Sequence, residues 1–149
     1  MPEQETLERA RQDAEEGKSP STQAGEFVKE EMDHIKEGKH GARSTKQAIA
    51  IGLSKARRAG VPLPPPKGGK ASTRRKAAQD YRRGSSGSAR RPSAKRARAT
   101  RQALKREGHS AASRSALAKQ ARTAARRRSA ASRSSSARRA AATRRRGRS

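Results

Sequence analysis

The large apolar residues of this chain are bunched. Eight of its eleven Leu, Ile, Val and Phe residues fall between Phe27 and Leu63, with Leu7 before them and Leu104 and Leu117 beyond. Within that stretch Ala24, Phe27, Val28, Met32 and Ile35 recur at helical spacing, while Glu26, Glu30, Glu31, Asp33 and Glu37 mark the opposite side. The pattern predicts an amphipathic helix running to about Lys36. Its start is signalled by the hydroxyls of Ser19, Ser21 and Thr22 and by Pro20, whose fixed φ suits a first turn. After a loop over 38–43, Ser44 and Gln47 form an S-x-x-Q capping box. A second helix is predicted over about 45–59, with Ala48, Ile49, Leu53 and Ala56 on its apolar face and Ile51 at the margin. Gly60 stands where a left-handed C-cap belongs, Val61 is placed to fold back on Ala56, and Pro62 forbids continuation. Two helices and a short loop read as an αα-hairpin.

The flanks are thinner. Residues 3–16 have helix-forming composition, but Leu7, Ala10 and Ala14 make a narrow stripe. An exposed helix ending near Gly17 is expected there. Residues 61–66, Val-Pro-Leu-Pro-Pro-Pro, read as a stiff spacer, followed by a Gly/Lys joint over 67–70. Beyond it, Ala-rich segments with hydroxyl starts and glycine stops give helical potential over 72–83, 93–107 and 110–128. Like charges in adjacent turns oppose these helices, so nascent helices are expected, and disorder over 129–149. The fold class read from the pattern is therefore small and all-α. It comprises an acidic exposed helix (1–18), an αα-hairpin module (19–61), a Pro/Gly linker (62–70) and a long, mostly disordered or nascent-helical basic tail (71–149).

Composition sharpens this picture. Alanine supplies 29 of the 43 hydrophobic residues, and Leu, Ile, Val and Phe are only 11 of 149. Such a chain cannot fill a conventional core. The hairpin alone is marginal, so a second copy or a protein partner is expected to support it. An enzyme with a buried pocket is not expected, and no catalytic residue, cofactor or small-molecule substrate is assigned. The absence of cysteine excludes disulfides and thiolate metal sites. Glu31 and His34 stand at i, i+3, a spacing used in carboxylate-bridged metal sites, but those need several such helices. The pair reads as a solvated helix face, and His40 and His109 as loop residues without a carboxylate cluster. No apolar run approaches a membrane span, and the acidic N-terminus is no signal peptide. A cytoplasmic protein is expected.

Charge then points to a partner. The net charge is +26, split between a net of −6 over residues 1–37 and +32 over 38–149. Past residue 37 the only acids are Asp80 and Glu107. Duplex DNA carries one negative charge per ~1.7 Å, so the net +26 of residues 67–149 matches roughly 44 Å of duplex. Arg outnumbers Lys there by 22 to 6, and its fork pairs bidentately with phosphate. In the hairpin, the candidate phosphate-binding residues are Lys46, Lys55, Arg57 and Arg58. In the tail they are Arg74, Arg75, Lys76, Arg82, Arg83, Arg90, Arg91, Lys95 and Arg96, followed by the triplets Arg126, Arg127, Arg128 and Arg144, Arg145, Arg146. One Phe, one Tyr and no Trp leave little for base stacking, which favours duplex DNA over RNA. The second hairpin helix could be taken for a groove reader, but the loop is longer than a helix-turn-helix turn and no third helix is predicted to support it.

Lys46 to Gly60 reads KQAIAIGLSKARRAG. This phrase, with its preceding EFVKEEMDHIKEGKH and following VPLPPP, resembles a bacterial family of short, basic proteins of unknown function. The resemblance spans about residues 20–66. Gly52 and Lys55 depart from the family's commoner Ala and Glu. Some members of that family are labelled plasmid-stabilisation or DNA-binding proteins, and the tail is similar in composition to bacterial histone H1-like tails. The resulting expectation is a non-enzymatic, nucleoid-associated protein that binds DNA largely without sequence preference. The alternatives are an adaptor whose hairpin docks a protein partner, or an RNA or ribosome binder.

Overall fold

The structure, a computed structural model, describes residues 2–87 and 91–147. Among these there are seven α-helices and no strand: α1 (Gln4–Glu15), α2 (Pro20–Lys36), α3 (Thr45–Arg58), α4 (Ala71–Ser85), α5 (Ala94–Lys105), α6 (Arg114–Arg126) and α7 (Ala130–Arg146). A 3-10 turn, Ser110–Ala112, precedes α6. The chain divides into two compact units, 1–113 and 114–149.

The αα-hairpin of α2 and α3 is the centre of the first unit. The Ser19 hydroxyl accepts the Thr22 amide at the start of α2. The Ser44 hydroxyl accepts the Gln47 amide at 3.1 Å, and the Gln47 side chain accepts the Arg43 amide at 2.7 Å. At the end of α3, Gly60 takes a φ of +97° and the Val61 amide donates back to the Ala56 carbonyl at 3.1 Å. That bond carries Val61 into the core beside Ala56. Phe27 and Ile35 of α2 and Ala48 and Ala56 of α3 are fully buried, and Ala56 shares a core cluster with Phe27. The two backbones approach closely at Gly52, where a Cβ would stand 2.7 Å from the Val28 Cα.

The flanks differ from their expected state. Helix α1 is docked on α2, with Ala10 buried and Leu7 packed on the Phe27 cluster. Polar residues complete that contact: Thr6 and Asp13 are buried, Arg9 pairs with Glu26 at 2.8 Å, and the Glu3 amide donates to Glu30 at 2.9 Å. The narrow stripe suffices because small and ion-paired residues share the interface.

The proline segment is strapped down as well. Leu63 packs on the core cluster, and the Arg57 guanidinium donates to the carbonyls of Leu63 at 3.1 Å and Pro64 at 3.3 Å. Helix α4 then packs on α3 through Ala77 and Asp80, with Gly84 against the Arg57 carbonyl. A third and a fourth helix thus support the hairpin from the two sides, where none was expected. The end of α5 returns to the α2–α3 loop: the Gly41 amide donates to Leu104 at 2.9 Å and the Ala42 amide to Gly108 at 3.0 Å. Ala111 and Ala112 are drawn into the core, and the Ala111 carbonyl accepts the Thr45 hydroxyl at 2.6 Å. Tying down 110–112 delays the next helix to Arg114, later than its predicted start at 110.

Residues 114–149 contain two helices. Helix α6 matches the third predicted tail helix. Helix α7 replaces the disorder expected over 129–149: the Ser129 hydroxyl accepts the Ser132 amide at 3.1 Å, and an Ala/Arg-rich segment continues it.

Candidate nucleic-acid interface

Helix α4 is oriented by what it buries. Ala77, Asp80 and Gly84, at i, i+3 and i+7, face α3. The Asp80 carboxylate is 1 % exposed and accepts the Ser54 hydroxyl at 2.6 Å and the Lys76 ammonium at 2.9 Å. With that face fixed, helical geometry turns Arg75 and Arg82 directly away from α3, seven residues apart, with Arg74 and Arg83 on the flanks. All four are exposed. The single acid of α4 is therefore spent inside the fold.

In α5, Lys95 and Arg96 are exposed as expected. A second row, Arg98, Arg101 and Lys105, lines a shallow groove with Ala94 and Gln102; its bases are not adjacent in the sequence, which hides the row there. Its i, i+3, i+7 spacing was the available signal. In the second unit the same spacing aligns Lys119, Arg122 and Arg126 along α6, another row not singled out from the sequence. Arg126 and Arg127 are exposed; Arg128 bridges to Ser132 and Ser136 at the start of α7. The bases of α7 point to three sides, and none of its residues is buried. Arg144, Arg145 and Arg146 form its exposed last turn. Arg91 and Lys46 are exposed; Arg90 lies outside the described residues.

Two hairpin candidates do not face solvent. Lys55 pairs with the buried carboxylate of Glu31. Arg57 is buried, with its fork on the Leu63 and Pro64 carbonyls. Burial lowers the Arg57 pKa, and the nearby Asp80 carboxylate opposes that effect. Both residues hold the fold and are withdrawn from the phosphate-binding set. Arg58 remains exposed, with its Nε on the Ser54 carbonyl.

The acids past residue 37 are both withdrawn, Asp80 fully and Glu107 partly. Several acids of the head are paired: Glu3 with His34 and Lys39, Glu26 with Arg9, and Asp13 and Glu16 with Lys18. Hydrogen bonds that the Lys18 ammonium donates to Asp13 and then to Glu16 raise its pKa well above the ordinary value. Glu31 and His34, read as a solvated face, are instead buried and half-buried. Among the described residues no helix is long and apolar enough to cross a membrane.

No curated protein and no solved structure matches the chain. Residues 19–67, which comprise α2, α3 and the proline strap, match a family of unknown function (DUF6496).

Proposed function

We propose that the chain binds duplex DNA through phosphate contacts, with little sequence preference and no chemical step, as a nucleoid-associated protein. The observation that carries this reading is the sorting of charge. From residue 38 onward Asp80 is buried and Glu107 half-buried, while the bases of α4, α5, α6 and α7 face solvent. Arg-rich rows of this kind neutralise phosphates and release counterions, giving affinity that falls steeply with salt. Duplex is favoured over single strands because no exposed aromatic platform exists among the described residues. Phe27 is in the core, and Tyr81, half-buried on α4, stands alone.

Fluorescence anisotropy across a salt series tests it, using a duplex of about 30 base pairs, a matched single strand and an RNA hairpin. The full chain is expected to prefer duplex with a steep salt slope. Truncation at Ser113 should make the slope shallower, and Arg75→Ala with Arg82→Ala should reduce it by about 2. Binding that is insensitive to salt, or tighter on the RNA hairpin, overturns the proposal.

A further inference from the structure

The C-terminal turns of α2 gather carboxylates and imidazoles that the phosphate-binding surface does not use. Glu31 and Glu30 have side chains only 1 % and 2 % exposed. Each has one oxygen committed. Glu31 Oε1 accepts the Lys55 ammonium, and Glu30 Oε1 accepts the Glu3 amide at 2.9 Å. The second oxygen of each, Oε2, is buried and accepts no hydrogen bond. Leaving such an oxygen without a donor is unfavourable.

His40 reaches this place from the α2–α3 loop. Its Nδ1 lies 2.9 Å from the Gly41 carbonyl oxygen. A carbonyl only accepts, so Nδ1 carries the hydrogen and Nε2 of the neutral ring is a bare lone pair. That nitrogen stands 3.1 Å from Glu31 Oε2. Two lone pairs at this separation repel unless a positive centre lies between or beside them. An imidazole that donates outward to a backbone carbonyl and turns its other nitrogen inward has the arrangement of a metal ligand. His34 has an outward partner too: its Nε2 is 2.9 Å from Glu3 Oε1, which also holds Lys39 at 3.1 Å. The two rings are edge-on with centroids 5.9 Å apart. One ligand atom each from Glu31, His34 and His40 lies within 4.8 Å of the others, and His34 stands in the same relation to Glu3 and Glu30. Ligand atoms around a tetrahedral zinc ion are about 3.3 Å apart, so modest side-chain rotations close the set.

We propose that Glu31, His34 and His40 bind one divalent transition-metal ion, with a solvent molecule completing its shell. The protein ligands are two imidazole nitrogens and one carboxylate oxygen in a chain without cysteine. It suits zinc or cobalt(II), whereas magnesium and calcium prefer oxygen-only shells. Lys55 on Oε1 makes Glu31 a ligand through a single oxygen and offsets its charge. The ion ties the last turns of α2 to the loop that follows, a staple suited to a fold with so few large apolar residues. This site stands apart from the nucleic-acid reading.

The test uses the full chain stripped with a chelator. Calorimetric titration with Zn²⁺ is expected to give one site. Co²⁺ should give the visible d–d absorption of a four-coordinate nitrogen/oxygen site, and zinc should raise the melting temperature. Mg²⁺ should do none of these. His34→Gln and His40→Gln should each weaken zinc binding by about tenfold or more, and His109→Gln should leave it unchanged. Far-UV circular dichroism establishes that each variant is folded, and the cobalt spectrum of the unaltered chain decides without any variant. Zinc binding no stronger than magnesium binding overturns the proposal. So does equal zinc affinity in the unaltered chain and in the variant lacking both His34 and His40. The contact between His40 and Glu31 would then be held by a proton.

Discussion

Gly52 of α3 lies directly on the backbone of Val28 in α2, with an ideal Cβ at Gly52 falling 2.7 Å from the Val28 Cα and 2.9 Å from its nitrogen. The neighbour is main chain, so no rotamer change relieves a methyl group placed there. Gly52→Ala gains about 1 kcal/mol in helix propensity and loses about 1–3 kcal/mol to overpacking. A net loss is expected, read as a lower denaturation midpoint with an unchanged slope. A stabilised Gly52→Ala variant would show that the two helices cross farther apart.

The ion pair of Glu31 and Lys55 joins the same two helices. Removing only the cation leaves a buried carboxylate uncompensated, so Lys55→Ala is expected to cost about 3 kcal/mol. Lys55→Met combined with Glu31→Gln should cost clearly less than the sum of the single changes. A double-mutant cycle by urea denaturation measures the coupling. Additive effects would mean that the two side chains do not meet in solution.

Asp80 fastens α4 to the hairpin through the Ser54 hydroxyl and the Lys76 ammonium. Asp80→Ala should cost about 2 kcal/mol, in the range of hydrogen bonds to a charged group. The loss should be local. Hydrogen exchange is expected to accelerate over residues 71–85 and to stay slow in α2 and α3. Uniform acceleration across all these helices would instead show one cooperative unit.

Glu3 gives the docking of α1 a pH dependence. Hydrogen bonds from His34 and then Lys39 hold its carboxyl below the ordinary value of 4.5. A carboxyl whose pKa is lower folded than unfolded stabilises the folded form above the unfolded value. The gain disappears as pH falls through the folded value. The first turn of α1 is thus expected to loosen in acid. The Thr6 amide resonance, followed by NMR against pH, should report this in the unaltered chain and shift much less in Glu3→Gln. Identical titrations would remove Glu3 as the cause.

The hairpin was legible because its signals were local. Ser19 and Ser44 cap the helices they precede, and the Val61 amide bonds to Ala56 as the Gly60 position implied. The docking of α1 and α4 was not, because their buried faces are built from Ala10, Ala77, Thr6, Asp13 and Asp80. Small and polar residues leave at most a narrow apolar stripe, and their burial is stabilised by partners distant in sequence, such as Ser54 for Asp80. Lys55 and Arg57 read as surface cations for the same reason: their anchors, Glu31 and two carbonyls, are found only once the chain has folded. His40 shows the reverse case. In the sequence it sits in a bare loop, and only the loop's return to α2 brings it to Glu31.

Helix α7 has seventeen residues, buries none of them, and carries arginines on three sides. Nothing apolar holds it in shape, so its pitch depends on the ions around it. Coiled, it spans about 26 Å; drawn out, the same residues reach about 56 Å. Like charges in adjacent turns oppose the coil, so the segment is expected to lengthen in dilute buffer and to recover its helix where anions screen the arginines.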